Sequence, residues 1–571
     1  MPAEQTTQAE LILKIAELQG EIKKLQQRKK YGLVWEEKLE DVVLQCQSNV
    51  PILKGVKGKE IKTVLEKPTN ILIEGDNYHA LSVLNYTHKG AFDVIYVDPP
   101  YNTGARDWKY NNDFVDSEDP YKHTKWISFM EHRLRLMKGL LADDGICCVT
   151  VDDYEMPRLW MLMEEIFGED NHLGTAAIRI NPGGRKTKRS LATQHEYALF
   201  FAKSANTQVA KVVKDIIDKT HSYKQDNDGC WFEERNLRKE GQDSLATDDS
   251  DRFYPIYINS RTGEISSVRK FDIKILPIDT QGQKRIWRRG KADIDKLYKE
   301  GDIFVKKTKH GVQLYFKFRG GVEGETPKSF WDDVRYSASE HGTQILDEIL
   351  GNTGCFPFPK SLWAVIDCIK VCSQKTDALV LDFFAGSGTT GHAVLELNKQ
   401  DEGNRRFVLC TNNENNICEE VTFERIKRVI KGYESKKGEK IDGLGGNLSY
   451  YKTALVSVEK LQRVSDEAKI KVTYQAGEMI ALREDTPNEV EKNDWWQIFA
   501  SEEKTTAIYF KEDKEKLNDL VKKLVQAQKT TILYIFSWGK NEYKNEFSSK
   551  FIRIEDIPDP ILEVYKEINR A

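Results

Sequence analysis

No stretch of this sequence is apolar for long enough to span a bilayer, and none resembles a secretion signal, so a cytoplasmic protein without membrane partners is expected. Cysteine is sparse and unordered. The nine residues, an odd number without one Cys-x-x-Cys pair, argue against a disulfide framework or a zinc site, and no metal is expected. Cys147-Cys148 in a strand-like run and Cys368/Cys372 on a helix-like one read as reduced core residues. An excess of positive charge is missing too. With a net charge of −4 and a pI near 6.3, any nucleic-acid partner must be held by a local basic surface. There is no internal repeat and no low-complexity tract. What is present is 571 residues, 31% charged and 39% hydrophobic, the composition of a soluble globular chain. That length suggests about three or four structural units.

Near the start, Leu11, Ile15, Leu18, Ile22 and Leu25 alternate spacings of four and three, with Ile at a and Leu at d of a heptad. That seam predicts a two-stranded coiled coil, with an amphipathic helix lying on its own domain as the alternative. From about residue 70 the text turns α/β. "NILIEGDN" and "AFDVIYVDPPY" read as buried strands around the helical "YHALSVLNYTHKG". Trp126, Phe129, Met130, Leu134, Met137, Leu140 and Leu141 then fall on one helical face, and "ICCVTVDD" follows as a strand. Such alternation implies a parallel sheet with right-handed crossovers. Between about 206 and 330 the pattern lapses into charge- and glycine-rich text containing a strand pair, "YPIYINSRTGEI", which reads as an inserted module. The α/β pattern resumes at "DALVLDFFAGSGTTGHAVLELN" and "RRFVLCTNNE", and residues 447–571 read as a separate small α/β domain.

Two stretches carry chemistry. In "VIYVDPPYNTG" the prolines end a buried strand, since proline cannot donate to a sheet ladder, and leave Asp98 at its carboxyl end. Ligands of open α/β sheets bind along that edge. In "LDFFAGSGTTGHA" a strand meets a glycine-rich turn and a helix, a layout that brings backbone amides close to a ligand. Gly386 and Gly391 have the spacing of a phosphate loop, but His392 and Ala393 stand where that loop needs Lys and Ser/Thr, which argues against ATP hydrolysis. Gly386, Gly388 and Gly391 also fit a dinucleotide fingerprint, so an NAD-dependent oxidoreductase is the rival, although it leaves Asp98-Pro99-Pro100-Tyr101 without work. Glu414, ending the next strand, is placed to bind ribose hydroxyls.

Together "DPPY" and "FAGSG" resemble the paired signatures of amino-group DNA methyltransferases that use S-adenosylmethionine. The order, catalytic motif first and cofactor motif last around an insertion, is that of the β class. More closely, "EGDNYHAL", "VDPPYNTG", "DDGICCVTVDD", "HEYALFFAK", "FPFPKS", "LDFFAGSGTTGHAV" and "RRFVLCTNNE" resemble the modification subunit of type III restriction-modification systems over about residues 30 to 430. The resemblance implies a Rossmann-like α/β methyltransferase fold in circularly permuted motif order, with an inserted target-recognition domain and a small C-terminal α/β domain. The corresponding boundaries are 1–30 for the N-terminal helix, 31–205 for the catalytic part, 206–330 for target recognition, 331–440 for the cofactor-binding part and 441–571 for the C-terminal domain.

It further implies that Asp98 accepts a hydrogen from the target amino group, that the backbone carbonyl beside Pro99 takes the second, with Pro100 stiffening the turn, and that Tyr101 stacks on the everted base. Phe384, Gly386, Ser387, Gly388 and Thr389 would contact the cofactor, with Glu414 on its ribose, Asp76 near its adenine, Lys360 near its methionine end and Asp382 supporting the loop. Adenine N6 is the expected target, because the family's cytosine-N4 enzymes more often carry Ser at the Asp98 position. A non-catalytic DNA-specificity subunit is the other alternative. Double-stranded DNA, a homodimer and a separate restriction subunit are the implied partners. The best local basic patch is "RINPGGRKTKRS", in which Arg185, Lys186, Lys188 and Arg189 could track phosphates.

Overall fold

The computed structural model describes residues 35, 36, 38, 40–64, 67–111, 113–184, 191–212, 223–226, 231–241, 243–308, 311–318, 325–538, 543 and 550–569. The heptad seam at 11–25 and the basic positions Arg185, Lys186, Lys188 and Arg189 lie outside them. Two compact units are found: residues 209–327, and the rest of the chain.

The larger unit is built on one sheet. Its central strands run Asn447–Ser457, Thr69–Glu74, Arg406–Thr411, Leu379–Asp382, Phe92–Val97 and Leu141–Val151, all parallel neighbours. The four inner strands, from Thr69–Glu74 to Phe92–Val97, are short, mostly apolar runs such as "DVIYV" and "LVLD", as expected where helices cover both faces. Antiparallel strands extend the sheet on both sides, Asn49–Gly55 on one and Glu196–Ala202 with His172–Ile178 on the other, where the two-residue strand Phe330–Trp331 pairs parallel at the edge. The order of the central strands reverses between Phe92–Val97 and Leu379–Asp382, a strand from each half of the sequence, which makes their junction a topological switch point.

Helices follow from the text around these strands. Asp76 caps helix Asn77–Thr87 by accepting the Tyr78 N–H at 2.7 Å. Helix Lys122–Leu140 buries Trp126, Phe129, Met130, Leu134, Met137 and Leu140 at spacings of three and four, as its periodicity predicts. Helix Thr389–Asp401 starts directly from the glycine turn.

Part of the segment past the expected boundary at 441 joins the core of the large sheet. Strand Asn447–Ser457 is inserted in the large sheet between Asn49–Gly55 and Thr69–Glu74, and Val472, Ile561 and Tyr565 pack in the same apolar cluster as Leu81 and Val97. Strand Asn447–Ser457 is bounded by loops that resemble linkers, so only its pairing shows where it belongs. Beyond it, a five-stranded sheet from Asn488–Lys492 to Ile552–Ile557 carries helix Lys514–Gln526, whose Leu517, Leu520 and Leu524 are buried.

The 209–327 unit contains a four-stranded and a three-stranded sheet around Leu237, Tyr254, Ile256, Trp287, Ile294 and Leu314. The anticipated strand pair is present as Ile256–Ile258 against Ile265–Ser266. Among the described residues, no helix is long and apolar enough to cross a membrane.

Candidate active site

Because the central strands are parallel, their carboxyl ends share one edge. Asp76, Asp98, the 384–388 turn and Glu414 all follow such ends, and therefore converge although hundreds of residues separate them in the chain. Val380 pairs with Val94 and Leu381 with Ile95, which sets the glycine turn beside the Asp98 loop.

The Asp98 loop is clamped. The Trp126 indole N–H donates to the Pro100 carbonyl at 2.6 Å. Asn102 is fully buried at a left-handed φ of 57°, and its amide donates to Glu155 and to the Lys122 carbonyl. Glu155 also bonds His123, so the turn that follows Tyr101 is fixed from two helices.

Asp98 itself accepts from the Thr150 hydroxyl at 2.8 Å and pairs with Lys360 Nζ at 3.1 Å, both through Oδ1. Lys360 also reaches Glu196 Oε2 at 2.5 Å, donates to the Tyr101 hydroxyl, and lies 4.5 Å from the centre of the Tyr101 ring. Tyr101 donates its own hydrogen to Glu196 at 3.1 Å. Burial raises the Glu196 carboxyl above its ordinary range; Lys360 opposes the rise and the charge of Asp98 adds to it. Burial lowers Lys360, but the two carboxylates outweigh it and hold the ammonium protonated. The Tyr101 phenol is pushed well up by burial and by Asp98, and stays neutral. A pocket opens beside this cluster, walled by Tyr101, Glu196, Asp152, Tyr154, Ile180 and His195.

The glycine turn is held from below. Gly386 and Gly388 take φ of 47° and 78°, which residues with a Cβ rarely adopt. The Asp382 carboxylate accepts the Phe384 N–H at 2.9 Å and the Thr390 hydroxyl at 2.5 Å. Burial pushes its carboxyl up to about 7, with Asp98 contributing. The Phe384 ring lies 5.8 Å from Phe129. Ser387 and Thr389, expected among the cofactor contacts, turn their hydroxyls onto the buried guanidinium of Arg425 at 3.2 and 2.8 Å. What these two positions can offer a ligand is backbone. Lys360, expected beside the methionine end of a cofactor, has its contacts at Asp98, Glu196 and Tyr101. Glu414 pairs with Lys109, and Asp76, 40% exposed, faces Arg133 at 3.7 Å while capping its helix.

Several residues escaped sequence reasoning. Thr150 is an unremarked polar residue in an apolar strand, and Trp126 was assigned to packing alone. Glu196 left one signal, a carboxylate opening the otherwise apolar strand "EYALFFA". Arg133, wholly buried, pairs with Glu40 and donates through Nε to Asn77, whose amide in turn donates to the Phe383 carbonyl at 3.2 Å.

Residues 92–423, which include both motifs, match the family described as DNA methylase. The chain belongs to that family. The methylase is 34% identical over 351 residues to the type II methyltransferase M.KpnI of Klebsiella pneumoniae, covering 61% of this chain and 82% of that protein. It is 30% identical over 374 residues to the Mod subunit of the type III restriction-modification enzyme EcoPI from Escherichia phage P1, covering 59% of this chain and 57% of that subunit. The methylase thus spans little more than half the length of the type III subunits it matches. Among solved structures, the cytosine-N4-specific PvuII DNA methyltransferase aligns with 67% of this chain and 98% of its own at 13% identity and a TM-score of 0.33, too loose an overlap to add to the fold described above. Membership of the family leaves the nicotinamide reading without support.

Proposed function

We propose that the protein is the modification subunit of a type III restriction-modification system, a sequence-specific DNA methyltransferase that transfers a methyl group from S-adenosylmethionine to N6 of an everted adenine. The observation that carries this is the pairing of Val94 with Val380, which puts the Asp98 loop and the glycine turn side by side. The turn fits the cofactor: Gly386 and Gly388 hold conformations that keep side chains out of the cradle, and Phe384, Asp76 and Glu414 would supply an aromatic wall and acceptors for hydroxyls. When bound, S-adenosylmethionine would supply an electrophilic sulfonium methyl for the amine, with the neutral thioether as leaving group and the amine's proton passing to solvent.

The protein's own part is to make the amine a better nucleophile. An exocyclic base amine delocalises its lone pair into the ring. Ionised Asp98 accepting one of its hydrogens, and a carbonyl beside Pro99 accepting the other, draw the nitrogen toward tetrahedral geometry. Trp126 occupies the Pro100 carbonyl, so the Pro99 carbonyl is the one assigned to the amine. The loop is rigid before substrate arrives, which removes an ordering cost from the reaction. Tyr101 gives the base a face, since the amine cannot be reached inside a duplex.

The 209–327 unit is assigned to target recognition, and the chain to a homodimer working with a separate restriction subunit. Incubation with S-adenosylmethionine labelled in its methyl group and plasmid DNA, followed by digestion to nucleosides, tests this reading. Labelled N6-methyladenine at one sequence is the expected product. Label on cytosine N4 would move the substrate to the alternative base, and an absence of label would refute methyl transfer. Light scattering that found a monomer at all micromolar concentrations would remove the dimer.

A further inference from the structure

We infer that Glu196 is a positioning residue of the reaction, which keeps Asp98 an effective acceptor by holding the Lys360 ammonium away from it. This rests on the methyl-transfer reading above. Two carboxylates share one cation in this cluster, and the sharing is unequal: Nζ stands 2.5 Å from Glu196 and 3.1 Å from Asp98. An ammonium given wholly to Asp98 would occupy the lone pairs and cancel the charge that draw on the target amine. Glu196 also accepts the Tyr101 hydroxyl and so fixes the ring on which the base would lie. It comes from strand Glu196–Ala202, which pairs with Leu141–Val151 and His172–Ile178, is 2% exposed, and has no contact with the glycine turn among its described hydrogen bonds and ion pairs. Its effect should therefore fall on the acceptor and leave cofactor binding alone.

The titratable groups around Glu196 are Lys360, Asp98, Tyr101 and Tyr96, with Asp152, Asp153, Tyr154 and His195 on the pocket walls and Asp382 behind Asp98. Lys360 stays protonated and Tyr96 and Tyr101 stay neutral through the working range, because their shifts are all upward. As pH falls, protonation of Glu196 releases Lys360 to Asp98. The Glu196→Gln variant mimics that state at every pH.

The test is kcat against pH for the full chain with S-adenosylmethionine and cognate DNA, beside calorimetric affinity for S-adenosylmethionine and thermal melting. The wild type is expected to lose activity through an acid limb above the ordinary carboxylate range. E196Q should lack that limb and turn over roughly tenfold or more slowly at neutral pH. Its cofactor affinity should stay within about twofold. E196D, which keeps the charge, should keep the limb, and so should H195Q. An E196Q profile with the same shape as wild type at any height, or loss of the limb in H195Q, overturns the inference. Should E196Q melt before assay, K360Q reads the coupling from the cation side: with no ammonium to release onto Asp98 the limb must disappear, and a limb of wild-type shape in K360Q defeats the proposal. A wild type that binds S-adenosylmethionine yet transfers no methyl to DNA would instead overturn the underlying reading.

Discussion

Val380 lies opposite Val94 in parallel register, and that pairing brings Asp382 and Asp98, 284 positions apart in the sequence, to the carboxyl ends of adjacent strands. Burial raises Asp382 to about 7, and part of the rise comes from the charge on Asp98, so the two acids also feel each other. Everything asked of the site depends on this junction.

Replacing Asp98 by Ala removes the acceptor without touching the turn. Methyl transfer to DNA should fall by about a thousandfold or more. The affinity for S-adenosylmethionine, measured by calorimetry, should change little. Turnover at the wild-type rate would strip Asp98 of its role.

Trp126→Phe keeps the ring in its wholly buried place and deletes the N–H that bonds the Pro100 carbonyl at 2.6 Å. Leaving that acceptor unpaired costs about 1–3 kcal/mol. The loop should loosen, so kcat should drop by roughly tenfold while KM for S-adenosylmethionine holds steady. A variant that raised only the cofactor KM would place Trp126 elsewhere in the mechanism.

Gly386→Ala forces a side chain into φ 47° and to 3.0 Å from the Phe356 ring. The backbone strain costs about 1–3 kcal/mol and should appear as weaker binding of S-adenosylmethionine with DNA affinity retained. Cofactor titration and a DNA-binding assay on the same preparation separate the two.

Asp382→Asn tests the buried acid through stability. The carboxyl sits at about 7 in the fold against an ordinary 3.8, so the folded chain keeps a proton that the unfolded chain has lost. Wild-type stability therefore decreases as pH rises from about 4 through about 7. In the Asn variant this part of the slope should vanish, giving a Tm difference from wild type that favours the variant more at pH 8 than at pH 5. Parallel Tm curves would show that Asp382 does not titrate there.

Arg133 and Glu40 form a buried ion pair with bonds of 2.8 and 2.7 Å. Glu40→Gln removes the bidentate counter-charge and leaves the guanidinium only Asp76 at 3.7 Å, which should cost about 3 kcal/mol. Burial raises the Glu40 carboxyl, but Arg133 and His132 outweigh it and hold it down to about 2, so this stability is complete above about 4.5 and is lost as pH falls toward about 2. Denaturant unfolding of both proteins at pH 7 and at pH 3 should show the gap narrowing in acid.

Much of the site could be read before folding because its chemistry is local. Asp98 is marked as the candidate acid by the prolines that follow it, and Gly386 and Gly388 as a candidate cradle by a turn that needs positive φ. Glu196 and Lys360 were harder. Each sits in text that explains itself otherwise, a strand start and a proline-rich loop, and only their meeting at Asp98 and Tyr101 gives them a shared task. At Ser387 and Thr389 the motif gave the positions but not the partners of the side chains: Arg425, far down the chain, takes their hydroxyls and leaves their backbone for a ligand.

The sequence by itself determined the α/β alternation, the two chemical motifs and the inserted segment, because periodicity, proline and glycine act within a few residues and need no distant partner. The tertiary structure alone decided that strand Asn447–Ser457 belongs to the large sheet, and that one ammonium is divided between Asp98 and Glu196. Strand neighbours and buried charge pairs are set by hydrogen bonding and Coulomb energy between segments remote in the chain, and those energies exist only once the segments have been packed together.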